Sequence, residues 1–234
     1  MTDDELRTIL ADRIESVRKR IQSACARVGR PSSEVTLIAV TKTVSPRVAS
    51  VLPDLGIVDI GESRPQELWR KAEALKHLPI RWHLIGHLQR NKVERTLPLV
   101  HLIHSVDSAR LLDAIAAESE KRQTRTRVLL EVNISGEAQK HGFDPDELTT
   151  LVANKNIEIA GLMGMAALSS ESEAARPAFA KLRTVRDQLQ AKWPTNQLTH
   201  LSMGMSGDFD VAIEEGATLV RIGTTLFEGL EIEI

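Results

Sequence analysis

Over the first thirty residues, Leu6, Ile9, Leu10, Ile14, Val17, Ile21, Ala24, Cys25 and Val28 recur at three- and four-residue steps. That spacing lays them along one face of an α-helix. Gly29 and Pro31 close it, because glycine tolerates the turn past a helix end and proline cannot extend the ladder. From Val35 the period changes. Val35-Thr-Leu-Ile-Ala-Val40 is a short β-rich run, followed by polar residues and a new helical pattern from Pro46. Strand-like runs continue near 57–60, 81–85, 101–105, 127–132, 157–162, 198–201 and 218–222. Helical patterns fall near 46–54, 64–76, 90–96, 107–122, 145–154, 172–191 and 207–214. The runs at 57–60 and 198–201 are weak alone and are placed by the rhythm of the others. Eight short strands alternating with helices imply parallel pairing through crossovers. The pattern predicts an α/β fold, a single (β/α)8 TIM-type barrel with an extra N-terminal helix. An open doubly wound sheet is the competing topology. With no linker, low-complexity stretch or further repeat, residues 1–234 read as one domain.

Composition narrows the function classes. A net charge of −2 gives no global basic field, so neither nucleic acid nor a membrane surface is an expected partner. Arg18-Lys19-Arg20 and Lys121-Arg122, with Arg125 and Arg127, read as solvated helix faces. Cys25 is the only cysteine, which excludes an internal disulfide and a thiolate zinc cage. The acidic start Met-Thr-Asp-Asp-Glu is unlike a signal peptide, and no apolar run approaches the ~18 residues that span a bilayer. A cytoplasmic location is expected, and Asn133-Ile134-Ser135 then has no meaning as a glycosylation sequon.

A parallel barrel carries its site at the C-terminal ends of its strands. Lys42 directly follows the first apolar run. Apolar walls around it would disfavour the ammonium and leave the free amine that carbonyl addition needs. A strand-end lysine that merely reaches solvent is the plain alternative. The loop after the seventh strand carries Gly204, Ser206 and Gly207 ahead of a helix, and Gly223-Thr224 follows the eighth. Barrels often hold phosphate at these two loops, although glycine and serine also cap helices everywhere. An imine-forming lysine and a phosphate cradle on one rim point to a phosphorylated aldehyde or ketone. Pyridoxal 5′-phosphate (PLP) fits this description, and so does a sugar phosphate bound by a lysine aldolase.

Six motifs in order decide between them: Leu37-Ile-Ala-Val-Thr-Lys42-Thr43, Asp59-Ile-Gly-Glu-Ser63, Trp82-His-Leu-Ile-Gly-His-Leu-Gln-Arg-Asn-Lys92, Gly161-Leu-Met-Gly-Met165, Leu201-Ser-Met-Gly-Met-Ser206 and Arg221-Ile-Gly-Thr224. End to end, the chain resembles the pyridoxal phosphate homeostasis protein family, whose barrel is similar to the N-terminal domain of alanine racemase. The resemblance implies that PLP is held as a Schiff base on Lys42. It implies that Ser206, Gly223 and Thr224 hold the phosphate and that Arg221 faces the pyridine nitrogen. Ser63 stands where the family more often has asparagine, so a cofactor contact there is in question. Met163, Met165, Met203 and Met205 are expected to pack around the flat ring. Lys140, in Lys140-His-Gly-Phe143, is a candidate second contact beside the simpler reading of a solvated lysine. His83 and His87 straddle a strand end and are not expected to converge on a metal, and no metal site is expected. His101 and His104 fall on opposite strand faces and read as structural.

The resembling alanine racemases use a tyrosine as second acid/base, delivered by an additional domain. This chain contains no tyrosine, so racemization by that device is excluded. A guanidinium has only donors to offer the ring nitrogen, which makes the ring a poorer electron sink. The expected role is vitamin B6 homeostasis without rapid catalysis, with a low-activity PLP-dependent amino-acid racemase or lyase as the alternative. Expected partners are PLP, amino acids or apo PLP enzymes, and the expected state is a monomer or weak dimer.

Overall fold

Thr2 opens the first helix, α1 (Asp3–Arg27), with a reciprocal cap. Its hydroxyl accepts from the Glu5 amide at 3.2 Å, and the Glu5 carboxylate accepts from the Thr2 amide at 2.7 Å. Leu6, Leu10, Ile14, Val17 and Ile21 face inward from this helix. Each buried aliphatic of this size is worth roughly 1.5–3 kcal/mol. The computed structural model describes residues 1–134, 141–148, 151, 154–167, 171–193 and 197–230.

The alternation then proceeds as β1 (Thr36–Val40), α2 (Pro46–Ser50), β2 (Asp59–Glu62), α3 (Pro65–Ala74), β3 (Arg81–Leu84), α4 (Val93–Thr96), β4 (Leu102–Val106) and α5 (Ala109–Lys121). It continues as β5 (Thr126–Glu131), α6 (Pro145–Leu148), β6 (Ile157–Met163), α7 (Arg176–Lys192), β7 (His200–Ser202), α8 (Phe209–Glu214), β8 (Leu219–Ile222) and α9 (Thr224–Phe227). The eight strands are parallel, pair in chain order and close when β8 pairs with β1. The doubly wound alternative is thereby excluded.

Two departures from the sequence pattern have local causes. β2 begins two residues later than the apolar run at Ile57, because Pro53–Leu55 forms a 3-10 turn that ends at Gly56 with φ +74°. Ile57 closes that turn through its amide to Leu52 O at 3.0 Å, and it packs there instead of in the sheet. α9 is only four residues long, too short to leave a periodic signature.

Ile38, Leu102, Leu129, Ala160, Met163 and Leu219 fill the barrel interior, while a larger apolar layer lies outside the strands beneath the helices. α1 lies against the last two helices. Arg20 pairs with Asp210, Arg27 Nε with Glu214 Oε1 at 2.5 Å, and Arg13 donates to Leu226 O at 2.9 Å. Among the described residues no helix is long and apolar enough to cross a membrane.

Candidate functional site

Lys42 stands in the turn that follows β1, at the C-terminal rim, and its side chain is exposed. The apolar crowding expected around it is absent, because β1 has already ended and the chain is turning outward. What the fold controls is the turn itself. Thr41 is fully buried; its amide donates to Gly61 O at 3.0 Å and its carbonyl accepts from the Val44 amide at 3.1 Å. Lys71, on α3, reaches under the same turn. Its ammonium donates to Thr41 O at 2.6 Å and pairs with Glu62, which also accepts from Thr41 Oγ1 at 2.7 Å. Lys71 and Glu62 are both buried, and Glu62 Oε2 has no partner among the described residues. The backbone that presents Lys42 is therefore pinned from below by a buried ion pair.

β8 is the neighbour of β1, with Ile38 opposite Arg221. The loops that follow β7 and β8 meet beside it. Gly204, at φ +91°, makes this possible: a Cβ there would lie 2.6 Å from Ala212 Cβ and 2.9 Å from Phe209 Cα. The loop then runs to Ser206, whose hydroxyl accepts from the Thr225 amide at 3.3 Å. Gly223 leads straight into α9, and the Thr224 amide donates to no acceptor among the described residues. Ser206, Gly223 and Thr224 are thus gathered at one corner, with a hydroxyl and a free amide there. That donor set suits an anionic oxygen.

Arg221 is buried inside the barrel. Its Nη1 donates to Ser202 O at 2.7 Å and to Ser202 Oγ at 2.6 Å, and its Nη2 donates to Gly164 O at 3.1 Å. Burial pulls the guanidinium down to about 10, which still leaves it a cation at neutral pH. From Ser202 a hydrogen-bonded chain crosses the interior. Ser202 Oγ lies 2.8 Å from His104 Nδ1, His104 Nε2 lies 2.9 Å from His83 Nδ1, and His83 Nε2 lies 3.0 Å from Asp59 Oδ1. Arg81 closes the far end with a bond from Nε to Asp59 Oδ1 at 2.8 Å. With both imidazoles neutral, each link has one donor and one acceptor: Arg221 to Ser202, Ser202 to His104, His104 to His83, His83 to Asp59. Burial, then the neighbouring His83 and Arg221, push His104 well below the usual imidazole range. Burial pushes Asp59 upward, but hydrogen bonds from His83 and Arg81 outweigh it and bring the carboxyl to about 2.

Other expectations change. Met163 fills the barrel interior, Met203 is buried in the layer outside the barrel and Met165 is 40% exposed. His101 precedes β4, where the alternation of strand faces does not apply. Its ring and that of His104 both approach His83, at 5.6 and 5.2 Å between centroids. His83 and His87 do diverge, one into the barrel and one onto the rim. Ser63 is half-buried just after β2, and its backbone is packed against the turn that follows β3: a Cβ on Gly86 would lie 2.1 Å from Ser63 O. Lys140 lies outside the described residues.

Sequence reasoning missed Glu131, buried at the C-terminal end of β5. Burial, then the charge of Asp107, raises its carboxyl, and the positive charge of Arg221 opposes this. A carboxylate ending the apolar run Val128-Leu-Leu-Glu131 was the available signal.

Residues 13–230 match the family model described as alanine racemase, N-terminal domain. A pyridoxal phosphate homeostasis protein from Aquifex aeolicus is 45% identical over 220 residues, covering 92% of this chain and 96% of the relative. Another, from Pseudomonas aeruginosa, is 36% identical and covers 93% and 94%. Among solved structures, PipY of Synechococcus elongatus with PLP bound superposes with a TM-score of 0.79 at 32% identity, covering 93% of this chain and 99% of that one.

Proposed function

Since the chain belongs to the alanine racemase N-terminal domain family and, with its curated relatives, to the pyridoxal phosphate homeostasis proteins, we propose that it binds PLP as a Schiff base on Lys42. Its role is cytoplasmic vitamin B6 homeostasis rather than rapid turnover. One observation carries this reading. The Ser206 hydroxyl is bonded to the Thr225 amide, which gathers the loops after β7 and β8 beside the strand whose end carries Lys42. Bound there, PLP supplies an aldehyde that condenses with a primary amine, together with an electron-withdrawing ring. Ser206, Gly223 and Thr224 would hold its phosphate, and Arg221 would donate to the ring nitrogen. Met163 and Ser63 border the site, and residues 1–234 work as one unit.

The exposure of Lys42 suits a holder of cofactor, because an incoming amino acid or an apo PLP enzyme's lysine can reach the same carbon. A rapid catalyst needs a closed site with a positioned acid and base. Glu131 alone favours the second reading, a slow racemase or lyase, as a buried carboxyl whose proton is retained more strongly than usual. The protein acts as a monomer or weak dimer in either case.

The test is spectroscopic. The purified protein should be yellow, and borohydride should fix a pyridoxyl group on Lys42. Finding that group reproducibly on another peptide, with Lys42 unmodified, would overturn the assignment. Ser206→Ala should weaken PLP by about 10- to 150-fold while hardly changing unphosphorylated pyridoxal. Equal weakening of both ligands would place the serine elsewhere. Deuterium exchange at Cα of an amino acid at ~1 s⁻¹ or faster, abolished in Lys42→Ala and in Glu131→Gln, would replace the first reading with the second.

A further inference from the structure

On the rim, three consecutive strands deliver one cluster that the cofactor reading does not use. His87 follows β3, Asp107 follows β4 and His141 follows β5. Asp107 Oδ2 lies 3.0 Å from His87 Nδ1 and 3.8 Å from His141 Nδ1. Ligand atoms from the three residues all fall within 4.8 Å of one another. The two imidazoles stack, with centroids 5.1 Å apart and planes 28° from parallel. The Asp107 side chain is only 9% exposed, and its other oxygen is engaged, because Oδ1 accepts from Ser108 Oγ at 3.1 Å.

Hydrogen bonding explains half of this arrangement. His87 is within bonding distance of the carboxylate, but 3.8 Å is too long for a bond from His141. Both histidines nonetheless turn the same nitrogen toward one oxygen. The two distances to the carboxylate oxygen, 3.0 and 3.8 Å, bracket the spacing of side chains that share a cation: ligands about 2.0–2.2 Å from a tetrahedral centre stand roughly 3.3–3.6 Å from one another. We infer that His87, Asp107 and His141 form a binding site for one divalent transition cation of the Zn²⁺ class. Two imidazole nitrogens and one carboxylate oxygen suit such an ion and supply too few oxygens for Ca²⁺ or Mg²⁺. Water completes the coordination, and Ser108 orients the carboxylate from the outer shell.

The cation would act as a clip. His141 begins the segment that folds back on the end of β5, where the Phe143 amide donates to Glu131 O at 2.7 Å and the Asn133 amide donates to Phe143 O at 3.0 Å. Tying His141 to His87 and Asp107 joins this segment to the ends of β3 and β4. The sequence spacing pairs His87 with His83, but the fold sends His83 into the barrel and gives His87 different partners.

The experiment titrates chelator-treated, full-length protein with ZnCl₂ alone in a calorimeter and repeats the titration with Co²⁺ by visible absorbance. One equivalent should bind, and Co²⁺ should show a ligand-field band. His87→Ala and His141→Ala should each weaken binding at least ~10-fold, since even outer-shell losses cost 10- to 100-fold. His77→Ala, at an exposed histidine away from the cluster, should leave binding unchanged. Failure to bind one equivalent overturns the site, as does full affinity in both His87→Ala and His141→Ala. An equal loss in His77→Ala would mean scattered surface binding and would also overturn it. All three substitutions fall at exposed positions, so the variants' melting temperatures should match that of the unsubstituted protein.

Discussion

Two buried polar assemblies flank the rim, and they solve the same problem in opposite ways. Beneath Lys42, outside the barrel wall, Glu62 and Lys71 face each other as full charges, with Thr41 bonded to both and Glu62 Oε2 left over. Inside the barrel, Ser202, His104 and His83 carry polarity from Arg221 to Asp59 through groups that need no charge of their own. The first assembly depends on both partners being present, because either charge alone is stranded in an apolar layer. The second can be rewritten. Its imidazole nitrogens exchange donor and acceptor roles with the tautomer, without moving a heavy atom. A fixed support under the amine and an adjustable one behind the arginine are therefore built into the same wall.

Substitutions can break this contrast, and the ion pair should give the largest effect. Lys71→Met should lower the unfolding free energy by about 3–5 kcal/mol, and adding Glu62→Leu should recover most of it. Chemical denaturation of the single and double variants measures this, and a double variant no more stable than the single one would remove the ion pair as the cause. Thr41→Val should cost about 1.5–3 kcal/mol, since it removes a hydrogen bond to a charged group. The same denaturation curves, together with the rate of borohydride-trapped PLP attachment, show whether the turn that presents Lys42 loosens with it.

The interior chain should reveal itself through pH. The folded state holds His104 neutral well below its usual range, so on acidification the unfolded chain takes up that proton first, near pH 6.5. Below that point the unfolded state binds more protons, and stability falls by about 1.4 kcal/mol per pH unit for each such histidine. His104→Gln should show a slope shallower by one proton between pH 6.5 and 5; identical slopes would mean that His104 is charged in the fold. The smallest effect belongs to the chain's outer end. Arg81 is 52% exposed where it meets Asp59, so Arg81→Gln should cost less than ~1 kcal/mol. A larger loss would mean that the interior chain depends on charge after all.

The barrel was legible because buried parallel strands are written as short apolar runs, and eight of them alternate with helices. Lys42 was legible because it immediately ends the first run, and Ser206, Gly223 and Thr224 because two glycine-bearing loops fall at the last two strands. The supports behind them were not. Glu62 and Lys71 sit nine residues apart on a strand and the following helix, and only their packing shows that two charges share one buried space. Asp59, His83, His104 and Ser202 come from four strands, so their alignment depends on register around the whole barrel. The sequence leaves crowding and exposure both open for Lys42 for a related reason: a run's apolar character describes the strand and says nothing about the turn after it.

The seating of α1 on α8 and α9 bears on how the chain is made. Roughly 180 residues separate Arg27 from Phe209, and β1 likewise waits for β8 to complete its pairing. At about 5–20 residues per second of synthesis, the first helix spends roughly 10–40 s outside the ribosome before its partners exist. Its capped N-terminus lets it hold a nascent helical form during that delay, but its apolar face stays uncovered until α8 and α9 follow. Barrel closure is thus a late event, and the segments that complete it are the two loops that carry Ser206 and Thr224. A ligand captured at those loops would act on barrel closure itself, favouring closed barrels over open ones.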